Sequence, residues 1–160
     1  MIIRIFAVGK IREIYWQQGI SDYSKRLKNY ARLEVIEVPE ARTPDRASPE
    51  DEKAAMAREG QALQDKLSGR DGLVVALDRK GMEMGSLDLA RWIEEKRIGS
   101  TSAINWVIGG PLGLDSELTK KADLVLSFSK LTFPHQMMRL LLLEQIYRSF
   151  RIIHKEPYHR

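Results

Sequence analysis

Five short apolar runs, each followed by a stretch with helical spacing, constrain this chain more than any other feature of its sequence. The runs lie at Ile2–Val8, 33–38, 73–77, Ala103–Ile108 and 124–128; helical patterns occupy 13–30, Pro49–Leu67, 86–97, 116–122 and the chain from Pro134 onward. Gly9 and Pro39 close the first two runs, and Arg70-Asp71-Gly72 and Lys80-Gly81 read as turns on either side of the third. Ser48-Pro49-Glu50-Asp51 is a strong helix start: a hydroxyl that caps, proline in the first turn, and acids facing the positive end of the helix dipole. In the first helix Ile14, Ile20, Tyr23 and Leu27 share the expected inward face, and 40–47 reads as a mobile loop. The alternation predicts an α/β fold, a mostly parallel sheet with helices on both faces.

A chain of 160 residues suits one domain, and 43% hydrophobic with 30% charged residues is ordinary for a globular protein. There is no cysteine, which excludes disulfides, thiolate metal sites and cysteine nucleophiles. The opening MIIRIFAVGK lacks a signal-peptide pattern, and no apolar run reaches the roughly 18 residues of a membrane span, so a cytoplasmic protein with no membrane partner is expected. The net charge of +4 is modest, but its placement is uneven. Residues 130–160 hold six Lys/Arg against Glu144 and Glu156, an excess equal to that of the whole chain. Residues 1–38 are also basic, and the middle is acidic. If the ends meet, they make one basic face for a polyanion.

In open α/β sheets ligands bind beyond the carboxyl ends of strands. Three ends stand out: Leu77-Asp78, Gly109-Gly110-Pro111-Leu112-Gly113, and Ser127 to Thr132. Gly109 and Gly110 let backbone approach a ligand, or simply form a turn. Their spacing matches neither GxGxxG nor a phosphate-cradling loop, which argues against a dinucleotide or nucleoside triphosphate. Ser127, Ser129 and Thr132 offer hydroxyls either to a ligand or to the next helix as caps. His135, His154 and His159 fit no metal-ligand spacing, and no metal is expected. His135 is either a packing residue or a catalytic one. The last helix is apolar nearly all round at Met137-Met138 and 140–143. It is either a central core helix or one buried between its own sheet and a second subunit, with Arg139, Arg148 and Arg151 then at the rim.

Four segments together resemble the ribosomal large-subunit pseudouridine N3-methyltransferase family of the SPOUT class. They are Ile108-Gly109-Gly110-x-x-Gly113; Leu126 through Gln136 (LSFSKLTFPHQ); Leu143-Glu144-Gln145-x-Tyr147-Arg148; and Pro157-Tyr158-His159-Arg160. The likeness covers the whole chain, including Ala7-Val8-Gly9-Lys10 and Ile36-Glu37-Val38-Pro39. It implies a single SPOUT domain over 1–160, an α/β sandwich whose C-terminal part, about 73–160, holds a trefoil knot and the cofactor site. The alternation alone would not suggest a knot, since threaded chains are nearly absent from folds. The implied cofactor is S-adenosyl-L-methionine, with contacts from Leu77, Gly109, Gly110, Phe128, Ser129, Lys130, Leu131, Thr132 and Phe133. The implied partners are a second copy of the chain, as a homodimer, and the ribosome with its 23S rRNA, not DNA.

The implied reaction is methylation of N3 of a pseudouridine in helix 69 of that RNA, on the assembled ribosome. N3 is an imide nitrogen that becomes nucleophilic when its proton leaves, so positioning and stabilisation of the developing anion dominate the chemistry. Candidate catalytic residues are His135, Arg148, Tyr158, His159 and Arg160. Tyr158 would stack on a base, His159 would accept the proton, and Arg160 would hold a phosphate or base edge. The competing readings are a SPOUT methyltransferase with another RNA target and a ribosome-binding protein without catalysis.

Overall fold

The computed structural model describes residues 1–158; His159 and Arg160 lie outside the described residues. Strands β1 (Ile2–Val8), β2 (Arg32–Val38), β3 (Leu73–Glu83), β4 (Ala103–Ile108) and β5 (Leu124–Ser127) form one sheet in the order β2-β1-β4-β3-β5. Every paired neighbour is parallel. Helices α1 (Ile14–Leu27), α2 (Pro49–Leu67), α3 (Ser86–Ile98), α4 (Ser116–Lys121) and α5 (His135–Ile153) make the connections. The expected strand–helix alternation and helix layers on both faces are therefore present.

The period-2 geometry of strands sorts the core into two layers. Ile3, Ile5 and Ala7 of β1 join Leu27 of α1, Leu89 and Ile93 of α3, and Leu142, Ile146 and Phe150 of α5. Phe6 and Val8, pointing the other way, meet Leu63 of α2 and Leu114 and Leu118 around α4. The central β4 is buried at every position, as expected of a strand covered on both faces. α5 packs against both α1 and α3, and at Gly19 a Cβ would come within 3.0 Å of the Leu140 side chain. The α2 start is a full capping box: the Asp51 amide donates to Ser48 Oγ at 3.1 Å, and the Ser48 amide donates to Asp51 Oδ2 at 3.0 Å.

Three local expectations are corrected. β3 does not turn at Lys80-Gly81; it runs on to Glu83, with a register shift against β5 between Leu77 and Met82. Gly81 marks close strand contact instead, because a Cβ there would stand 2.6 Å from the Val125 carbonyl oxygen. Ile14, the first residue of α1, is 68% exposed and takes no part in the core. Arg139 is not at a rim but 2% exposed. It pairs with Glu37 and donates to the main-chain carbonyls of Val8 and Gly9, groups at the end of β1 that need a donor.

Candidate active site

Because β4, β3 and β5 are neighbours, the three strand ends singled out in the sequence lie side by side. They open onto a cavity of about 620 Å³, within the range of small-molecule sites. Leu77 and Asp78 line it from β3, the 109–113 loop from β4, and Phe128, Ser129, Leu131, Thr132 and Phe133 from the segment after β5. Met56 of α2 and Met138 of α5 add apolar wall. Of the nine residues expected around a cofactor, all but Lys130 line this cavity.

The glycine loop needs its glycines. A Cβ at Gly109 would run into the Gly113 main chain, and one at Gly110 would lie 2.8 Å from Glu59 Oε2 and 3.1 Å from Val8 Cγ1. Gly113 has φ +97°, a left-handed conformation, and its amide donates to the Gly110 carbonyl at 3.0 Å. The loop is a tight doubled-back turn, and its glycines line the cavity together with Pro111 and Leu112. The hydroxyls of the next segment shape its loop and do not cap α5. Ser127 Oγ donates to the Ser129 carbonyl at 3.1 Å, and Ser129 Oγ accepts the Leu131 amide at 3.0 Å. α5 begins after Pro134 with no side-chain cap.

Of the candidate catalytic residues, the three that are described, His135, Arg148 and Tyr158, do not form one group in a single chain. His135 lines the cavity, and burial lowers its pKa against a partly offsetting pull from Glu40. Arg148 stands 13 residues further along α5, about 20 Å at 1.5 Å per residue. Its Nε and Nη2 donate to Glu144 Oε1 at 3.0 and 2.6 Å, and its guanidinium lies 4.8 Å from the centre of the Tyr158 ring. Tyr158 is docked on the chain's own body. Its ring meets Tyr147 edge-on at 5.1 Å, and its hydroxyl shares a 3.2 Å hydrogen bond with Tyr23 and donates to Glu144 at 3.2 Å. Burial and these partners raise its pKa, so the hydroxyl stays protonated. The expectations for His159 and Arg160 fall outside the described residues.

Sequence reasoning missed Glu59, a charged residue 4% exposed behind Gly110. Its Oε1 accepts the Ala41 amide at 2.8 Å, and its Oε2 has no partner among the described residues. The signal was present: Glu59 falls between buried Ala55 and Leu63 at helical spacing. Among the described residues no group of three His, Cys, Asp or Glu could hold a metal ion, and no helix is long and apolar enough to cross a membrane.

The family described as "Predicted SPOUT methyltransferase" matches residues 1–159. The chain belongs to that family. It is 50% identical over 161 residues to the ribosomal RNA large subunit methyltransferase H of Acetivibrio thermocellus. It is 47% identical over 161 residues to ribosomal RNA large subunit methyltransferase H 1 of Clostridium perfringens, and both alignments cover all of each chain. Among solved structures, the fold resembles the tRNA (m1G37) methyltransferase of Aquifex aeolicus, with TM-score 0.52, 17% identity, all of this chain and 77% of that one. A putative methyltransferase of Legionella pneumophila, solved with bound cofactor SAM, gives TM-score 0.52 at 12% identity over 94% of this chain and 66% of that one.

Proposed function

We propose that this SPOUT methyltransferase uses S-adenosylmethionine to methylate N3 of a pseudouridine in helix 69 of 23S rRNA, acting on the assembled ribosome in the cytoplasm. The observation that carries the reading is the cavity where the ends of β4, β3 and β5 adjoin, lined by main chain at Gly109 and Gly110 and by apolar groups at Leu77, Phe128 and Met138. An adenosine moiety fits this wall: apolar surface for the base, and main chain of a glycine loop whose path Cβ atoms at 109 and 110 would disrupt. Full-length relatives named for ribosomal RNA support the substrate class.

Bound S-adenosylmethionine supplies an electrophilic methyl carbon on a sulfonium. The chain's own residues do the rest. Leu77, Gly109, Gly110, and Phe128 with Ser129, Leu131, Thr132 and Phe133 hold the donor. His159 accepts the proton, and His135, its pKa lowered by burial, offers an imidazole at the cavity edge. Arg148 stabilises charge developing on the uracil carbonyls. His135 and Arg148 lie apart in one chain, so the site is completed in a homodimer, where Arg148 and the tail from Tyr158 through His159 and Arg160 reach the partner's cavity. Half-buried Met137 and Leu141 on α5 support that face as the contact. The whole of 1–160 forms one domain, with the cofactor site and a trefoil knot in about 73–160.

The test is transfer of labelled methyl groups from S-adenosylmethionine to assembled ribosomes. Label in large-subunit RNA is expected. Label in another RNA class alone would indicate a different target, and ribosome binding without label would indicate a non-catalytic role.

A further inference from the structure

The register slip in β3 has a local cause and places charge at the cavity. Gly81 lies so close to β5 that a Cβ would stand 2.6 Å from the Val125 carbonyl oxygen and 2.8 Å from the Leu126 carbonyl carbon. That contact pins the strand while the residues before it bow outward, as bulges do when they re-aim side chains. Asp78 Oδ1 closes the bow by accepting the Lys80 amide at 2.8 Å. Arg79 and Lys80 therefore line the cavity while remaining exposed, and Lys53 reaches the same cavity from α2. None of these three cations has a side-chain partner among the described residues. The acids nearby are turned to main chain: Asp78 to the Lys80 amide, and Asp115 to the Glu117 amide at 3.1 Å as cap of α4.

We propose that Arg79, Lys80 and Lys53 form a rim that binds phosphates of the RNA strand whose base enters the cavity. The inference rests on the reading of the chain as an RNA methyltransferase. A base taken into such a pocket leaves its own and adjoining phosphates outside, level with the rim. Exposed, unpaired cations are suited to that ligand, since each phosphate they neutralise releases a condensed counterion. The contact carries no sequence information; it fixes the strand's register over the methyl donor.

The test compares wild type with the double variant Arg79→Gln/Lys80→Gln and, separately, Lys53→Gln. Binding of a mixed-sequence single-stranded RNA oligonucleotide is measured across a salt series, and S-adenosylmethionine binding by calorimetry. The double variant should bind RNA about tenfold more weakly, with a slope of log K against log salt shallower by about 1.4, roughly 0.7 per phosphate lost. Cofactor affinity should stay within about twofold. Lys53→Gln should flatten the slope by about 0.7 and guards against misfolding of the double variant. Unchanged RNA affinity and slope would overturn the proposal, as would loss of cofactor affinity alone, which would assign the cations to the donor's carboxylate. A wild type that methylates no ribosomal RNA would count against the functional reading, and the salt slopes would still judge the rim.

Discussion

The Glu59 carboxylate lies directly behind Gly110: a Cβ at that glycine would come within 2.8 Å of Oε2, while Oε1 accepts the Ala41 amide at 2.8 Å. One buried side chain thereby joins the segment after β2, helix α2 and the glycine loop after β4. One residue on, α2 also touches the cap of α4, where a Cβ at Gly60 would stand 2.6 Å from Cβ of Asp115.

Gly110→Ala should therefore displace the loop more than the small size of a methyl group suggests. We expect S-adenosylmethionine affinity to fall about tenfold, or about 1.4 kcal/mol, as measured by calorimetry. Gly109→Ala should be worse, because its Cβ would meet the Gly113 main chain, which cannot rotate away as a side chain can.

Burial raises the Glu59 pKa above the ordinary glutamate range, against a smaller lowering by the Ala41 amide. Between the unfolded and folded values the folded state binds more protons, so this group's contribution makes stability fall as pH rises through that interval. Glu59→Gln keeps an acceptor for Ala41 and removes the charge. Thermal melts from pH 4 to 8 should show a flatter pH dependence and a higher Tm than wild type at neutral pH. An unchanged pH profile would show that Glu59 is not the source.

Arg139 holds the first turns of α5 against the end of β1 through Glu37 and the Val8 and Gly9 carbonyls. Arg139→Ala leaves the Val8 and Gly9 carbonyls without their buried donor and frees Glu37, whose carboxylate remains accessible to water, and should cost about 2 kcal/mol of stability in denaturant unfolding. Arg139→Lys should recover only part of it, since an ammonium lacks the fork that reaches three acceptors.

Arg148→Ala removes a guanidinium that pairs with Glu144 and covers Tyr158, well away from the chain's own cavity. Cofactor affinity should remain within about twofold while turnover drops at least about tenfold, the size of one lost charge-stabilising contact. Equal loss of both would make Arg148 a structural residue.

Much of this was readable from the sequence, because local chemistry decides it. Ser48 through Asp51 specify a helix start wherever they occur, and Ala103–Ile108, apolar except at Asn105, reads as a strand. The cavity was readable for the same reason: Leu77, Gly109 and Phe128 end strands, and strand ends in parallel sheets adjoin. What was not readable depends on distant partners. Gly81 signals a turn until Val125 is beside it; Arg139 signals a surface cation until the carbonyls of β1 are opposite. Tyr158 reads as a ring offered to an RNA base until Tyr23, Tyr147 and Glu144 are found around it in its own chain.

The most direct measurement is mass-spectrometric mapping of the nucleoside methylated when wild-type protein, S-adenosylmethionine and assembled ribosomes are combined. One added methyl group on N3 of a pseudouridine in helix 69 of the large-subunit RNA is expected. A methyl group on any other nucleotide, or none on ribosomes that the protein binds, would contradict it.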